Sequence, residues 1–446
     1  MTRSLDIIVA GAGLAGSLLA SLLAQDGHRV RVFERRPDPR RSGFIGGRSI
    51  NLALSARGLA ALEAIGIRDE ILETVVPMRG RIMHSPTGET SFHAYSADPA
   101  NAINSVSRGD LNLRLIDKAA SMPGVTLHFE EPVVDVDLAN GIAMIQHAHD
   151  DEPRPEKADL IVGADGAYSS IRGAMQRYGG FGFSQDFISH GYKELVIPPD
   201  QHGNFAIEHD ALHIWPRGAS MMIALPNEDR SFTCTLFWPR EGEGTSFESL
   251  NAASDPRAFI SNLYPDAVGH MPDLETDCRE NPVGHLVTIR CDQWHCGPST
   301  VLLGDAAHAI VPFFGQGMNA AMQDCMVLRE QLRSHDGDVA TAIRAFSRQQ
   351  KPNGDAIAQL SFENFVIMRD KVSSPMYRLR QRLENWLHRL LPQHVGSVYN
   401  LVSFSTTPYA DIVGRRARRR RATRGILTVM LGLIFMAIAF SVGILI

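Results

Sequence analysis

The start of the chain contains the feature that most constrains its fold, a glycine-rich turn between an apolar strand and a helix. Leu5–Ala10 is an apolar run typical of a buried parallel strand. In the turn that follows, Gly11, Gly13 and Gly16 permit a tight bend, close approach of a pyrophosphate and close helix–strand packing. The pattern predicts a βαβ unit that binds a dinucleotide, and Ala15 belongs to the same phosphate-binding turn.

The second strand of this unit supports the same interpretation. The run "RVRVFE" ends in Glu34, at the distance expected for an acid that accepts hydrogen bonds from a ribose hydroxyl. Arg35 and Arg36 follow and would lie near the adenine or the pyrophosphate. An acid at a strand end is ordinarily just solvated, so the glycines carry the assignment. The motif does not distinguish NAD from FAD.

A second loop, about three hundred residues further on, favours FAD. In "GDAAHAIVPFFGQGMN", Asp305 would end a strand beside the ribityl or pyrophosphate part of the cofactor. Gly315 and Gly317 would let the backbone approach a flavin ring. The N–H groups of Gly317, Met318 and Asn319 open the next helix and would face the pyrimidine edge, where reduced flavin is anionic. A cofactor held at both ends indicates a tightly bound flavin.

Three motifs in order carry a family resemblance: "GAGLAG", "GADGAYSSIR" and "GDAAH". Together they resemble the FAD-dependent single-component aromatic hydroxylases, in which the middle motif, with Asp165, serves FAD and a transiently bound NADPH. Longer strings, among them "GRSINLALS", "PMRGRIMHS", "SVSRGDLN" and "HGYKELVIPP", resemble the kynurenine 3-monooxygenase branch along nearly the whole chain. The resemblance also implies FAD contacts at Ala53, Arg108 and Val134.

The resemblance implies a site for L-kynurenine, an amino acid with an ortho-aminophenyl ketone. Arg81 would bind the carboxylate with Tyr95 beside it, and Asn364 and Tyr399 would complete the polar end. A charge-assisted Arg–carboxylate bond contributes about 1.5–3 kcal/mol. An isolated arginine is ordinarily a surface residue, and an Asn or Tyr on a helix is ordinarily structural. The apolar slot for the ring would be formed by Ile223, Leu225, Phe237, Pro312 and Phe313.

The implied reaction is flavin chemistry. NADPH would reduce FAD, dioxygen would add to give a C4a-hydroperoxide, and the ring would be hydroxylated to 3-hydroxykynurenine, a step of tryptophan catabolism and de novo NAD synthesis. No side-chain acid or base is assigned. His190, His213 and His308 lack metal-ligand spacing, so no metal site is expected. Alternatives are a hydroxylase of another anthranilate-like acid, and a non-catalytic membrane-tethered flavoprotein.

The C-terminal end of the chain is strongly apolar. Gly425–Ile446 has no charged residue, and its 22 residues would span roughly 33 Å as a helix. Arg415–Arg424, just before it, carries seven arginines, which favour the cytosolic face and anionic lipid. We therefore expect a tail anchor with the body in the cytosol, on the mitochondrial outer membrane or a bacterial inner membrane. A buried terminal helix is the alternative. The mildly acidic remainder does not suggest nucleic-acid binding.

The predicted fold class is α/β, in several units. A Rossmann-like FAD-binding domain is expected to be discontinuous, and a β-sheet substrate domain would cover the flavin. A C-terminal helical region and a terminal transmembrane helix would follow. The predicted ranges are 1–75, 100–180 and 285–345 for the FAD domain, 76–99 and 181–284 for the sheet domain, 346–414 for the helices, and 415–446 for the basic segment and anchor.

Overall fold

A computed structural model describes residues 3–42, 51–96, 98–147, 150–367 and 398–418. Its strands are β1 (Asp6–Ala10), β2 (Arg29–Glu34), β3 (Asn51–Leu54), β4 (Val76–Met78), β5 (Gly80–His84), β6 (Thr90–Ala94), β7 (Ile103–Ser107), β8 (Val125–Phe129), β9 (Val133–Asp137), β10 (Ile142–Ile145), β11 (Arg154–Lys157), β12 (Leu160–Gly163), β13 (Phe183–Ile197), β14 (Ala211–Arg217), β15 (Ser220–Pro226), β16 (Phe232–Pro239), β17 (Gly284–Cys291), β18 (His295–Cys296) and β19 (Thr300–Leu302).

The helices of the described residues alternate with these strands in the first half of the chain and cluster after β16. They are α1 (Leu14–Gln25), α2 (Pro39–Ser42), α3 (Ala56–Ala64), α4 (Arg68–Leu72), α5 (Arg108–Ser121), α6 (Ser170–Tyr178), α7 (Phe247–Ala252), α8 (Pro256–Ser261), α9 (Pro265–Val268), α10 (Leu274–Glu280), α11 (Asp305–His308), α12 (Gly317–Ser334), α13 (Val339–Val366) and α14 (Val398–Ser403). A short 3-10 helix spans Pro312–Phe314, and residues 409–418 are also helical.

A six-stranded sheet organises the first region, in the order β18-β19-β12-β1-β2-β8. Its strands run parallel except for β18, which pairs antiparallel with β19. Ile7, Ile8 and Val9 of the central strand are wholly buried, because helices cover both faces of a parallel sheet. The order brings the carboxyl ends of β1, β12 and β19 side by side, and in such sheets ligands bind at that edge.

A seven-stranded sheet forms the second region, in the order β17-β13-β16-β15-β14-β5-β6. All its pairings are antiparallel except that of β14 with β5. One face packs against α7–α10 through a core that includes Trp215, Trp238 and Tyr264. Two further three-stranded sheets have the orders β11-β10-β9 and β3-β7-β4. The domain boundaries given above remain predictions.

The prediction of a membrane-spanning C-terminal helix is corrected. Within the described ranges no helix is both long enough and apolar enough to cross a membrane. The longest, α13, carries charged side chains such as Arg344, Lys351 and Asp355. Arg416, in the basic segment, pairs with Glu363 at 2.5 Å. The predicted anchor at 425–446 lies outside the described residues, so the fold is described without a transmembrane helix and the tail-anchored localisation is withdrawn.

Candidate active site

The turn between β1 and α1 is built from backbone and cannot accept side chains at two of its glycines. Gly11 has a φ of +100°, and a Cβ there would lie 2.6 Å from the Ala164 carbonyl oxygen. A Cβ on Gly16 would lie 1.9 Å from the Gly11 oxygen. Gly13, in contrast, has no described protein atom within 4 Å of its Cβ position. The turn thus leaves open space at the N-terminus of α1, where a phosphate is favoured.

Glu34 closes this turn from the neighbouring strand. Its Oε2 accepts a hydrogen bond of 2.8 Å from the Ala12 N–H, and its Oε1 accepts one of 3.0 Å from the Arg36 N–H. The carboxylate therefore lies beside the glycine turn, as the motif predicts, and also supports the turn directly. Each carboxylate oxygen retains a lone pair, which is what binding of a ribose hydroxyl would require.

The three sequence motifs meet at the carboxyl edge of the parallel sheet. Gly11 packs on Ala164 of the second motif, whose β12 lies next to β1. Gly304 of the third motif has a φ of +56°, and a Cβ there would lie 3.8 Å from that of Ala15. The Cys325 thiol of α12 donates to the Ala15 carbonyl oxygen at 3.3 Å. Segments up to three hundred residues apart therefore form one continuous cradle.

The second motif contributes the carboxylate of Asp165, whose two oxygens differ in their hydrogen bonding. Asp165 Oδ2 accepts hydrogen bonds of 2.8 Å from the Ser170 N–H and 3.1 Å from the Ser170 hydroxyl. Asp165 Oδ1 is buried and has no hydrogen-bond partner among the described residues. Arg172 anchors the loop by donating to the Ala306 and Ala167 carbonyl oxygens at 2.9 and 2.6 Å. A buried carboxylate oxygen ordinarily has a partner, so Oδ1 marks a ligand position.

The loop before α12 packs on β3. Gly315 has a φ of +64°, and a Cβ there would lie 3.0 Å from that of Ala53. The Asn319 amide donates to the Ala53 carbonyl oxygen at 2.8 Å, and its Oδ1 accepts from the Ser55 N–H at 2.9 Å. The side chain of Asn319 therefore holds the loop, while Gly317 and Met318, half-buried, begin the helix.

A buried ion pair lies behind the third motif. His308 Nε2 is 2.5 Å from Asp324 Oδ2, which also accepts the Gly304 N–H at 3.0 Å. Trp294 stacks on the imidazole, with ring centroids 4.7 Å apart. Burial is the largest single influence and opposes protonation of His308, but Asp324, with a smaller contribution from Asp305, raises the pKa of His308 overall. The pair fixes the loop that carries Asp305, which is itself exposed.

Arg81 lies beside two stacked tyrosines that come from distant parts of the chain. Its guanidinium carbon is 5.3 Å from the ring centroid of Tyr95 and 5.0 Å from that of Tyr399. The two rings stack at 5.0 Å. Burial raises the pKa of both phenols and Arg81 opposes that rise, so both hydroxyls keep their protons. No described residue forms a hydrogen bond or ion pair with the Arg81 guanidinium. The group therefore remains available for an anion.

Apolar side chains extend from this cationic end toward the loop before α12. Leu225 and Ile223, two apart on β15, pack with Tyr95 and Tyr399. Ile223 also contacts a second cluster that contains Phe237 and Phe313. These last two rings lie 5.0 Å apart. The predicted slot residues thus share one surface, with Pro312 exposed at its margin.

Asn364 reaches the same loop from α13. Its amide donates to the Phe313 carbonyl oxygen at 2.6 Å. The ring of Phe365, the next residue, packs on that of Phe313 with centroids 4.7 Å apart and the planes tilted by 31°. No sequence pattern selects Phe365, or Phe314, whose ring lies 5.7 Å from that of Tyr399. Both are aromatic neighbours of selected residues, and that adjacency was the only available signal.

Three predicted cofactor residues lie at the periphery. Arg35 and Arg108 are exposed, at the end of β2 and at the start of α5. Val134 is 39 % exposed on β9. Within the described residues, no hydrogen bond or packing contact joins these three side chains to the cradle, and their roles remain predictions.

The cradle suits FAD on its own geometry. It combines open space at Gly13, a buried Asp165 oxygen that has no hydrogen-bond partner among the described residues, and a second glycine loop at Gly315 and Gly317. These features follow the carboxyl ends of β1, β12 and β19, the edge at which such sheets bind dinucleotides. Residues 4–344 match the family described as FAD binding domain.

Several known kynurenine 3-monooxygenases are similar to the chain over most of its length. The kynurenine 3-monooxygenase of Salinispora tropica is 46 % identical over 94 % of this chain and 92 % of its own length. That of Myxococcus xanthus is 46 % identical over 91 % of this chain and 87 % of its own length. That of Stenotrophomonas maltophilia is 44 % identical, with 94 % and 91 % covered.

Solved structures share the fold at lower identity. A 2-methyl-3-hydroxypyridine-5-carboxylic acid oxygenase has a TM-score of 0.68 at 23 % identity, covering 84 % of this chain and 95 % of its own. The p-nitrophenol 4-monooxygenase of Pseudomonas putida has a TM-score of 0.67 at 17 % identity, covering 88 % and 94 %. The resemblance noted in the sequence is confirmed: the chain belongs to the kynurenine 3-monooxygenase family and is an FAD-dependent monooxygenase that uses dioxygen.

Proposed function

We propose that this flavoprotein hydroxylates L-kynurenine at ring carbon 3. NADPH is the reductant, and the balanced reaction consumes kynurenine, NADPH, a proton and dioxygen to give 3-hydroxykynurenine, NADP⁺ and water. The product belongs to tryptophan catabolism toward NAD. Bound FAD supplies the electron transfer and oxygen activation. The kynurenine 3-monooxygenases named above support this substrate.

The observation that carries the proposal is the Arg81 guanidinium, which lies beside the Tyr95 and Tyr399 rings and has no hydrogen-bond or ion-pair partner among the described residues. A cation that is partly shielded from water and lacks a carboxylate partner favours an anionic ligand. The substrate carboxylate can receive two parallel N–H bonds from such a group, which fixes orientation as well as position. The apolar surface of Leu225, Ile223 and Phe313 then accommodates an aromatic ring.

The residues of this chain bind, orient and exclude water. Arg81 and the two phenols hold the amino-acid end, while Asn364 fixes the Phe313 carbonyl and with it the wall of the slot. We propose that the cradle residues Gly13, Asp165 and Gly315–Asn319 hold FAD with its ring toward that wall. Positioning of a ring against a bound reagent accounts for much of the rate in such a reaction.

The proposal is tested by NADPH consumption of the purified FAD-loaded protein with and without L-kynurenine, with the product identified by mass. We expect stimulation by kynurenine and a product 16 mass units heavier than the substrate, consistent with one added oxygen. The same assay with anthranilate separates the alternative substrate class. Equal stimulation by anthranilate with no hydroxylated kynurenine would overturn the proposal in favour of another aromatic acid.

A further inference from the structure

The described C-terminal segment, residues 398–418, is held against the FAD region by a buried arginine. Arg57, on α3, is 2 % exposed. Its guanidinium donates to the Val402 and Thr407 carbonyl oxygens and, at 3.0 Å, to Gln323 Oε1. None of these acceptors is a carboxylate. A buried cation satisfied largely by main-chain oxygens of one segment becomes costly when that segment leaves.

Tyr409 links the same segment to the loop before α12. Its ring lies under the Arg57 guanidinium, 3.9 Å from ring centroid to guanidinium carbon. Its hydroxyl donates to Gln316 Oε1 at 2.8 Å. Gln316 is 1 % exposed and stands between Gly315 and Gly317. Burial raises the pKa of Tyr409 although Arg57 opposes the rise, so the hydroxyl remains a donor.

A second chain of hydrogen bonds reaches the third motif from the same segment. The Ala410 N–H donates to Asn353 Oδ1 at 3.0 Å, and the Asn353 amide donates to Gln350 Oε1 at 2.8 Å. The Gln350 amide donates to Asp324 Oδ1 at 3.0 Å. Asp324 in turn holds Gly304, as described above. The segment is therefore connected both to the Gly315–Gly317 loop and to Gly304 of the third motif.

The segment also carries a residue of the candidate pocket. Tyr399 lies in α14, three residues before Val402, whose carbonyl oxygen Arg57 holds. The same α14 is thus bound to Arg81 on one side and to Arg57 on the other. A shift of α14 on substrate binding would move the acceptors of Arg57 and, through Tyr409, the Gln316 side chain.

We propose that Arg57 and Tyr409 are positioning residues that dock segment 398–418 onto the Gly315–Gly317 loop and couple occupancy of the Arg81 pocket to the flavin environment. Each acts through another group, Arg57 through the carbonyls beside Tyr399 and Tyr409 through Gln316. The coupling part of this inference rests on the proposed function, whereas the docking part does not.

The test compares Tyr409→Phe with Tyr264→Phe. Tyr264 is likewise fully buried, and its hydroxyl accepts a 3.0 Å bond from Trp238 in the core behind the antiparallel sheet. Each variant loses one buried hydroxyl, so the two match in their cost to folding. The first readout is amide hydrogen exchange by mass spectrometry without kynurenine. We expect Tyr409→Phe to speed exchange about fivefold in peptides covering 312–320 and 398–410, and Tyr264→Phe to leave both unchanged.

The second readout is the change in the flavin absorption spectrum on adding L-kynurenine, with binding measured separately by equilibrium dialysis. In Tyr409→Phe we expect kynurenine to bind within twofold of the unsubstituted protein while the spectral change falls by at least about half. Gln316→Leu should reproduce this effect, and the double variant should add little to it. Arg57→Lys should also reduce the spectral change, because a lysine ammonium cannot donate to several carbonyl oxygens with the planar geometry of a guanidinium.

The outcomes are separable. Unchanged exchange in both peptides of Tyr409→Phe would overturn the docking. Faster exchange with an intact spectral response would overturn the coupling and leave a structural contact. If the unsubstituted protein neither binds nor hydroxylates kynurenine, the proposed function fails, and the exchange measurement still decides whether the segment is docked as described.

Discussion

The cofactor cradle and the substrate pocket are built from different parts of the polypeptide. At its glycine turn the cradle uses backbone: Gly11 and Gly16 are packed so closely that a Cβ would meet carbonyl oxygens at 2.6 and 1.9 Å. The pocket uses side chains, with Arg81 from β5 against Tyr399 from α14. A backbone site tolerates side-chain truncation but not added atoms, and a side-chain site has the opposite sensitivity. The two sites should therefore fail independently under substitution.

The two sheets also differ in the polarity of the side chains that they bury. The parallel sheet has an apolar centre, whereas the antiparallel sheet buries a polar chain behind β5 and β14. Asp266 is 2.6 Å from His84 Nδ1, and His84 Nε2 is 2.8 Å from His213 Nδ1. His213 Nε2 is 2.6 Å from the Glu208 carbonyl oxygen. Because strand residues alternate, His84 and Arg81 point to opposite faces of β5.

The largest effect is expected at Gly16. Gly16→Ala should lower the unfolding free energy of the apoprotein by about 3 kcal/mol, because the added Cβ overlaps the Gly11 oxygen and backbone must move. Thermal unfolding without FAD measures it. Gly13→Ala is the matched control, since no described atom lies near its Cβ position. An equal loss of apoprotein stability in both variants would contradict the backbone account.

Acid should destabilise the antiparallel region. Burial is the main cause that lowers the pKa of His213 to about 4 from 6.5, although its bond to Glu208 opposes the shift. The unfolded chain binds this proton first, so stability is present above about pH 6.5 and is lost as the pH falls to about 4. The loss is about 3 kcal/mol. Denaturant unfolding at several pH values should show it, and His213→Gln should flatten that slope.

The His308–Asp324 pair in the FAD region has the opposite sign. The pKa of His308 is raised in the folded state. Its contribution to the free energy of unfolding is therefore complete below the ordinary histidine pKa and is lost as the pH rises through the folded-state pKa. Amide hydrogen exchange measured separately for each region distinguishes the effect of His213 from that of His308. Acid should first speed exchange in β5 and β14, and alkali should first speed exchange around residues 304–308. Uniform changes in both regions would remove this distinction.

Kynurenine binding should depend on Arg81. Arg81→Ala loses a charge-assisted bond of about 1.5–3 kcal/mol, which weakens kynurenine roughly ten- to hundredfold. FAD affinity should stay within twofold. Arg79→Ala is the control, because Arg79 lies two residues before Arg81 and pairs with Asp210 at the exposed surface. An Arg81→Ala variant with unchanged kynurenine affinity would remove the anion clamp from the account.

The smallest effect is expected at Asn364. Asn364→Ala removes the amide that holds the Phe313 carbonyl oxygen at 2.6 Å. One neutral hydrogen bond contributes about 1 kcal/mol, so kcat/KM for kynurenine should fall roughly fivefold. Steady-state kinetics with product analysis measure this. A loss as large as that of Arg81→Ala would mean that Asn364 contacts the substrate directly.

The sequence predicted the cradle better than the pocket, for a physical reason. A glycine turn between a strand and a helix is a local pattern, and parallel strand order then places the ends of β1, β12 and β19 together. The resemblance to relatives selected Arg81 and Tyr399, but no local pattern in a single chain indicates that they meet. Arg57 was missed because a lone arginine after a strand is ordinarily a surface residue, and only tertiary packing buries it.

The error at the C-terminus has a related cause. Hydropathy and flanking arginines were used to predict a spanning helix at 425–446, a segment outside the described residues, and no helix within them can span a membrane. In the described part of the basic segment, Arg416 pairs with Glu363 of α13. Charge alone therefore did not indicate what this arginine contacts.

The most direct test of the central claim is a pair of dissociation constants, for FAD and for L-kynurenine at saturating FAD, measured on the unsubstituted protein, Gly13→Ala and Arg81→Ala. The account predicts that Gly13→Ala weakens FAD at least about tenfold and leaves kynurenine within twofold, and that Arg81→Ala does the reverse. If each substitution weakened both ligands to the same extent, the separation into a backbone-built cofactor site and a side-chain-built substrate site would be contradicted.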